Sequence, residues 1–237
     1  RKIPLSYIFF LTFFYLWALF YNAMSLFVLS HHHTIANHFI SELRDAQRQT
    51  DRMRFRFNME RIGEILAYEI SKTFHYETVK VETPLGVAPI KLSPQRIVLA
   101  TVLRAGLPMH SGILRYFDYA DNAFIAAFRR NHRDGSFDIQ LDYVTSPNLD
   151  DCILILCDPM IATGASVNLA LRELLRNGTP AAVHVATIIG STTGVETVHA
   201  QYPATRIWAA AIDTELTAKA YIVPGLGDAG DLAFGEK

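Results

Sequence analysis

Cysteine is scarce in this chain of 237 residues: only Cys152 and Cys157 are present. Both fall in one apolar run, where an odd spacing aims them at opposite faces of a strand, so a disulfide between them is excluded. No Cys/His pair has the spacing of a zinc site. An excess of either charge is also missing. Formal net charge is −1, with 19% charged residues and a pI of about 6.8. A chain without a basic field is a poor nucleic-acid binder, so nucleic acid is not expected as a partner. No G-x-x-x-x-G-K-[ST] occurs, and the glycines near residue 164 lack the triple spacing of a dinucleotide fingerprint. Convincing Ser-His-Asp or Cys-His sets for covalent catalysis are absent too.

What is present is a core. Half of the residues are hydrophobic, enough for one sizeable domain. The run from Leu5 to Leu29 carries no charge and follows Arg1 and Lys2. It is set apart as a hydrophobic N-terminal segment, residues 1–30, from a domain over residues 31–237. By length it could span a bilayer, and a basic start also imitates an export signal. The favoured expectation is that residues before Met24 are upstream translated sequence, with a membrane anchor second and export third. His31, His32 and His33 read as a solvated run.

From His38 to Phe74 apolar residues recur at three- and four-residue spacings (Phe39, Leu43, Met53, Phe57, Ile62, Ile65, Leu66, Ile70), which predicts packing helices. Arg52, Arg54 and Arg56 are expected on a wet helix face, with no catalytic role. Thr83 to Gly86 reads as a turn. Buried strands are predicted over Ile97 to Leu103, ending at Arg104, and over Asn122 to Phe128, ending at Arg129. A third covers Cys152 to Cys157, ending at Asp158. Strand, helix and strand recur through Val183–Ile189, Gly194–Gln201 and Arg206–Ile212. This alternation predicts an α/β fold with a central, mainly parallel sheet flanked by helices. Two arginines and an aspartate then gather at one sheet edge, where ligands of such folds bind. Arg130 to Asp138 is polar and suits an exposed mobile loop.

After Asp158 come Pro159, Met160, Ile161, Ala162, Thr163, Gly164, Ala165 and Ser166, a small-residue loop rich in hydroxyls. The following segment, Val167 to Arg176, has helical spacing, with Ser166 available as its N-cap and Gly178 past its end. Unpaired N–H groups at such a helix start suit a phosphate. The C-terminal stretch from Tyr221 to Asp231 holds three glycines and a proline close together, which predicts a shaped loop without regular structure.

The loop from Asp158 to Ser166 resembles the ribose-phosphate loop of type I phosphoribosyltransferases. Together with Leu103-Arg104-Ala105-Gly106-Leu107 and the closing Gly225-Leu226-Gly227-Asp228-Ala229-Gly230-Asp231, it resembles the uracil phosphoribosyltransferase family, from about Ile35 to Lys237. The resemblance implies a type I phosphoribosyltransferase fold with a C-terminal substrate-recognition loop. It also implies transfer of ribose 5-phosphate from phosphoribosyl pyrophosphate (PRPP) to N1 of uracil, giving UMP and pyrophosphate.

By the same resemblance, PRPP contacts fall on Arg104, Arg129, the loop Asp158 to Ser166 and Asp228, with Arg104, Arg129, Asp158 and Asp228 serving catalysis. Uracil is read by main-chain groups of Ile222, Gly227, Asp228 and Ala229. Arg130 to Asp138 takes the part of a lid over the donor. Magnesium (Mg2+) is expected on the donor's own oxygens with water ligands, since Pro159 stands after Asp158 and weakens any two-carboxylate metal site. Ala165 stands where many relatives have glycine, and its methyl is expected to point away from the phosphate. A homo-oligomer, a GTP effector and a cytoplasmic setting complete the expectations. The rival readings are a non-catalytic, nucleotide-sensing regulator on the same fold and a sister transferase for another base.

Overall fold

The computed structural model describes residues 25–131 and 137–236, and the side chains of all of these except 128–131 and 137–141. In chain order the strands are β1 (Leu26–Val28), β2 (Glu77–Thr83), β3 (Gly86–Leu92), β4 (Ile97–Leu103), β5 (Asp121–Asn131), β6 (Phe137–Thr145), β7 (Ile153–Cys157), β8 (Met160–Ile161), β9 (Ala182–Ser191), β10 (Arg206–Asp213), β11 (Glu215–Leu216) and β12 (Ile222–Val223). The helices are α1 (Ala36–Arg44), α2 (Arg52–Ser71), α3 (Leu107–Leu114), α4 (Ala165–Leu174), α5 (Thr192–Gln201) and α6 (Ala229–Phe234).

The central sheet runs β1-β10-β9-β7-β4-β5-β6, with β8 paired to β9 off that path. Every pairing is parallel except β5 with β6. Alternate residues of the buried strands feed two cores. Ile97, Leu99, Ile153, Ile155 and Cys157 pack with Phe55, Met59, Ile62 and Met109 on one face. Val98, Ala100, Leu154 and Leu156 pack with Val167, Leu171, Leu174 and Val198 on the other. Burial on both faces is why these strands read as unbroken apolar runs. The two thiols are free and buried, Cys152 in one core and Cys157 in the other.

Strand order fixes where a ligand can sit. From β4 the chain crosses through α3 to β5 on one side, whereas β7 lies against the opposite side of β4 and leads through α4 to β9. The order therefore reverses between β4 and β7, and a crevice opens beyond their carboxyl ends. Arg104 and Asp158 follow those two strands directly.

Several expectations need correction. Strand β5 does not stop at Phe128 but continues to Asn131 and pairs back with β6, Arg129 opposite Ile139. Arg129 is therefore inside a paired strand rather than at a strand end; its side chain, and residues 132–136 of the expected lid, lie outside what is described. Arg130 and Asp138, the bounds of the expected loop, are paired with each other in the strands, because an edge hairpin can be as hydrophilic as a loop. In α2 the buried stripe is Phe55, Met59, Ile62, Leu66 and Ile70, while Met53 and Phe57 are exposed. Their spacing matches the helix but on its outer face.

Strand β1 is the sheet's edge, with Leu26, Phe27 and Val28 opposite Ile207, Trp208 and Ala209 of β10. The sheet thus begins inside the stretch that hydropathy sets apart up to residue 30, because an edge strand lying on a core is as apolar as an anchor. Residues 1–24, and with them the expectation about upstream sequence, lie outside the described residues. Among the described residues no helix is long and apolar enough to cross a membrane. His31, His32 and His33 are exposed. The turn at Pro84 and Leu85 joins β2 to β3, a separate antiparallel hairpin that leaves Val79, Val87, Ile90 and Leu92 exposed.

Candidate active site

Asp158 is the polar centre of the crevice and is only 7% exposed. Ser166 Oγ donates to its Oδ2 at 2.9 Å, and the Met160 N–H donates to its Oδ1 at 3.4 Å. Burial pushes the carboxyl up to about 6, against these two bonds, which pull it down. The neighbouring Cys157 thiol is also pushed up by burial, so it stays protonated and inert.

The loop after Asp158 is pinned at several points. Pro159 O accepts from the N–H groups of Ile188 and Ile189 at 3.1 and 3.0 Å. Ala162 O accepts from Ser191 Oγ, which in turn takes the Gly194 N–H at 2.8 Å. Gly164 then turns the chain with φ +79°, a left-handed conformation open chiefly to glycine. A Cβ there would stand 2.7 Å from Gly194 O. The N-cap of α4 is Gly164, not Ser166. Ser166 lies one residue inside the helix because its hydroxyl is drawn to Asp158 instead of to the helix's own amides. Thr163 Oγ1 accepts from the Ala165 N–H at 3.4 Å. The first amides of α4 have no acceptor within their helix and open toward the same loop.

Opposite this loop stands the C-terminal glycine motif. It is not irregular throughout: α6 begins at Ala229, capped by Asp228, whose Oδ1 accepts from the Gly230 and Asp231 N–H groups at 2.8 and 3.0 Å. The sequence signal was there in Asp228 followed three residues later by Asp231, the spacing of a reciprocal helix cap. Glycine content masked it.

The two loops share one crevice of about 220 Å³. Of the residues expected in the site, Asp158, Pro159, Met160, Ala162, Thr163, Ser166, Ile222, Gly227, Asp228 and Ala229 line it. Arg104, Ile161, Gly164 and Ala165 do not: Ile161 is in the core, Gly164 is buried against α5, and Ala165 is exposed at the helix start. Arg104 sits at the end of β4, with its guanidinium turned toward α6. Its Nη2 donates to Gly235 O at 3.3 Å and lies 3.6 Å from Asp231 Oδ1. Val102, Ala105, Ala127, Ala220, Tyr221 and Gly230 also line the crevice and were missed. Ala105 just after β4 and Ala127 in β5 were the available signal, since short side chains leave room there.

The model of the family described as uracil phosphoribosyltransferase matches residues 29–236. The chain belongs to that family. Curated relatives named uracil phosphoribosyltransferase include one from Porphyromonas gingivalis, 50% identical over 206 residues, covering 86% of this chain and 95% of that protein. Another, from Pyrobaculum arsenaticum, is 38% identical over 205 residues, covering 85% and 96%. The solved structure of the AQ2163 protein from Aquifex aeolicus is also similar, with a TM-score of 0.79 and 28% identity over 89% of this chain and 98% of that one. The type I phosphoribosyltransferase architecture expected from the motifs, a mainly parallel sheet between helices, is the one observed.

Proposed function

We propose that this family member transfers ribose 5-phosphate from PRPP to N1 of uracil, releasing pyrophosphate and forming UMP for pyrimidine salvage. One observation carries the reading: the hydroxyl-bearing loop that leads into α4 and the C-terminal glycine motif line one crevice.

The 5-phosphate would lie against the amides at the start of α4, framed by the hydroxyls of Thr163 and Ser166. Asp158, ionised above its raised value near 6, would accept from the ribose hydroxyls. In the reaction the bond from C1 to the pyrophosphate oxygen breaks, the bond from C1 to N1 forms, and the N1 proton departs. Negative charge grows on the leaving group. Arg104 would meet it by exchanging its contacts to Gly235 O and Asp231, and Arg129 would be the second clamp. No covalent intermediate on the protein is required.

Uracil presents two acceptors and one N3–H donor along its edge, which main-chain groups of Ile222, Gly227, Asp228 and Ala229 would match. Cytosine reverses the pattern at position 4 and at N3, leaving buried polar groups unmet, a large penalty. With its Oδ1 committed to the α6 amides, Asp228 would present its main chain to the base in a fixed orientation.

A Mg2+ ion suits this crevice as part of the donor. Among the described residues no group of three or more His, Cys, Asp or Glu side chains could hold a metal, whereas the carboxylates of Asp158 and Asp228 line the crevice and would meet an ion's water ligands. Such an ion supplies charge neutralisation on the pyrophosphate.

Incubation with PRPP, magnesium and labelled uracil tests the reading. UMP should form; its absence from a folded preparation would overturn the enzyme reading in favour of the nucleotide-sensing regulator, and preference for another base would favour the sister transferase. A homo-oligomer is supported by the exposed apolar residues of the β2–β3 hairpin. The cytoplasmic setting is supported only by the intracellular origin of the donor. A GTP effector would appear as a GTP-dependent rise in kcat.

A further inference from the structure

The base-facing loop is held from behind by an ion pair that does not line the crevice. Arg44, the last residue of α1, meets Asp213, the last residue of β10, in a two-pronged contact: Nη1 to Oδ2 and Nη2 to Oδ1, each at 2.8 Å. Both partners then grip one residue. The Gly225 N–H donates to Asp213 Oδ2 at 2.9 Å, and Arg44 Nη1 donates to Gly225 O at 3.0 Å. Asp213 is 8% exposed. Burial pushes its carboxyl up, but the guanidinium and the Gly225 N–H more than offset this and hold it below the ordinary range.

Gly225 lies three residues after Ile222 and two before Gly227, which are both in the crevice wall. Its φ is +56°, and a Cβ there would stand 2.2 Å from Ile222 O. The chain between those wall residues is therefore folded back tightly on itself, and its central peptide groups are fixed by one charged pair. A bidentate guanidinium–carboxylate contact fixes orientation as well as distance.

We propose that Arg44 and Asp213 are positioning residues for base recognition, setting the register of the Ile222–Gly227 main chain against the pyrimidine edge while leaving donor binding alone. This rests on the uracil phosphoribosyltransferase reading. Main-chain recognition has no side chain to readjust, so any slack in the loop transfers directly to the hydrogen bonds that discriminate the base. The donor loop is anchored through the Ser191 hydroxyl and the β8–β9 pairing; Asp213 is the neighbour of Ser191 in the sheet but meets that segment through its main chain, with Thr192 Oγ1 donating to Asp213 O at 3.5 Å, so its carboxylate is free to serve Gly225.

The test measures KM for uracil, kcat and the dissociation constant of PRPP with magnesium for wild type, Arg44→Gln, Arg44→Lys and Asp213→Asn. Uracil KM should rise roughly ten-fold or more in Arg44→Gln and Asp213→Asn, since misplacement by a fraction of an ångström is costly at a reacting centre. PRPP affinity should stay within about two-fold, and Arg44→Lys should recover part of the loss because it keeps the charge but not the fork. Preference for uracil over cytosine should narrow in the same variants. If Arg44→Gln does not fold, Asp213→Asn, nearly identical in volume, carries the test, and hydrogen exchange should show residues 222–227 losing protection while 158–166 keep theirs. Unchanged uracil KM, equal loss of uracil and PRPP binding, or undiminished protection of residues 222–227 overturns the proposal. A wild-type protein that makes no UMP removes the functional reading instead, a result separable from active variants that match wild type.

Discussion

Ser166 Oγ lies 2.9 Å from Asp158 Oδ2, so the helix that follows the small-residue loop and the strand that ends in the acid are joined by one hydrogen bond inside the crevice. It holds a buried carboxyl that would otherwise be still harder to ionise. Function and stability pull against each other at this residue.

Asp158→Asn should separate the two. The folded carboxyl titrates near 6, above the ordinary aspartate value, so the folded state binds protons more readily than the unfolded chain. Stability from this group is fullest below about pH 4 and falls as pH rises to about 6, by up to about 3 kcal/mol at about 1.4 kcal/mol per pH unit. The amide variant escapes that loss. It should melt at or above the wild-type temperature at pH 8, with the difference closing toward pH 4, while kcat/KM drops by about a hundred-fold or more. Wild-type kinetics would remove Asp158 from the reaction.

Gly164→Ala should cost both fold and function. The residue holds φ +79°, and the new methyl meets Gly194 O at 2.7 Å, so the loop or α5 must shift. A loss of at least about 1 kcal/mol in urea unfolding is expected, with weakened PRPP binding. An unchanged unfolding midpoint would mean the turn is looser than its geometry shows.

Ala165→Gly should leave PRPP affinity within about two-fold. Ala165 is exposed at the first position of α4 and does not line the crevice, so its methyl has no phosphate to crowd. The expected cost is a helix-entropy term of at most about 1 kcal/mol. A many-fold gain in donor affinity, measured by titration calorimetry, would show that the methyl does intrude.

Glu42 ties α1 to α2 through Arg54 and Asn58, at 2.7 Å in each case. The Arg54 hydrogen bonds first, then that of Asn58, lower its carboxyl to about 2 against the effect of burial. A lowered folded value gives stability that is present above the unfolded value near 4.5 and is lost as pH falls toward 2. Glu42→Gln should therefore melt below wild type at pH 7, and the two melting curves should converge near pH 2. A constant gap across that range would show that the glutamate acts through packing alone.

Much of this fold was legible in the chain. Ile97 to Leu103 forms the expected strand, and the run from Cys152 forms β7 apart from its first residue, because a strand covered on both faces is apolar at every position. The helix after the small-residue loop was also visible, since its buried residues Val167, Ala170, Leu171 and Leu174 repeat at helical spacing. Capping was harder to read. Ser166 and Gly164 both suit a helix start, and only the nearness of Asp158 decides that the serine turns inward. In the C-terminal motif, glycine content suggested an open loop, and Asp228 as a cap tipped residues 229–234 into a helix.

By itself, then, the amino-acid order determined the alternation of strands and helices, the acid and small-residue loop that follow β7, and the glycine motif near the end, because these depend on periodicity and on residues adjacent in the chain. Tertiary structure alone decided that Arg44 and Asp213, 169 positions apart, close on Gly225, that Arg104 turns toward Asp231, and that Val102, Ala105 and Ala127 line the crevice. Contacts between distant segments follow from how the sheet is wound and packed, and no local pattern carries that information.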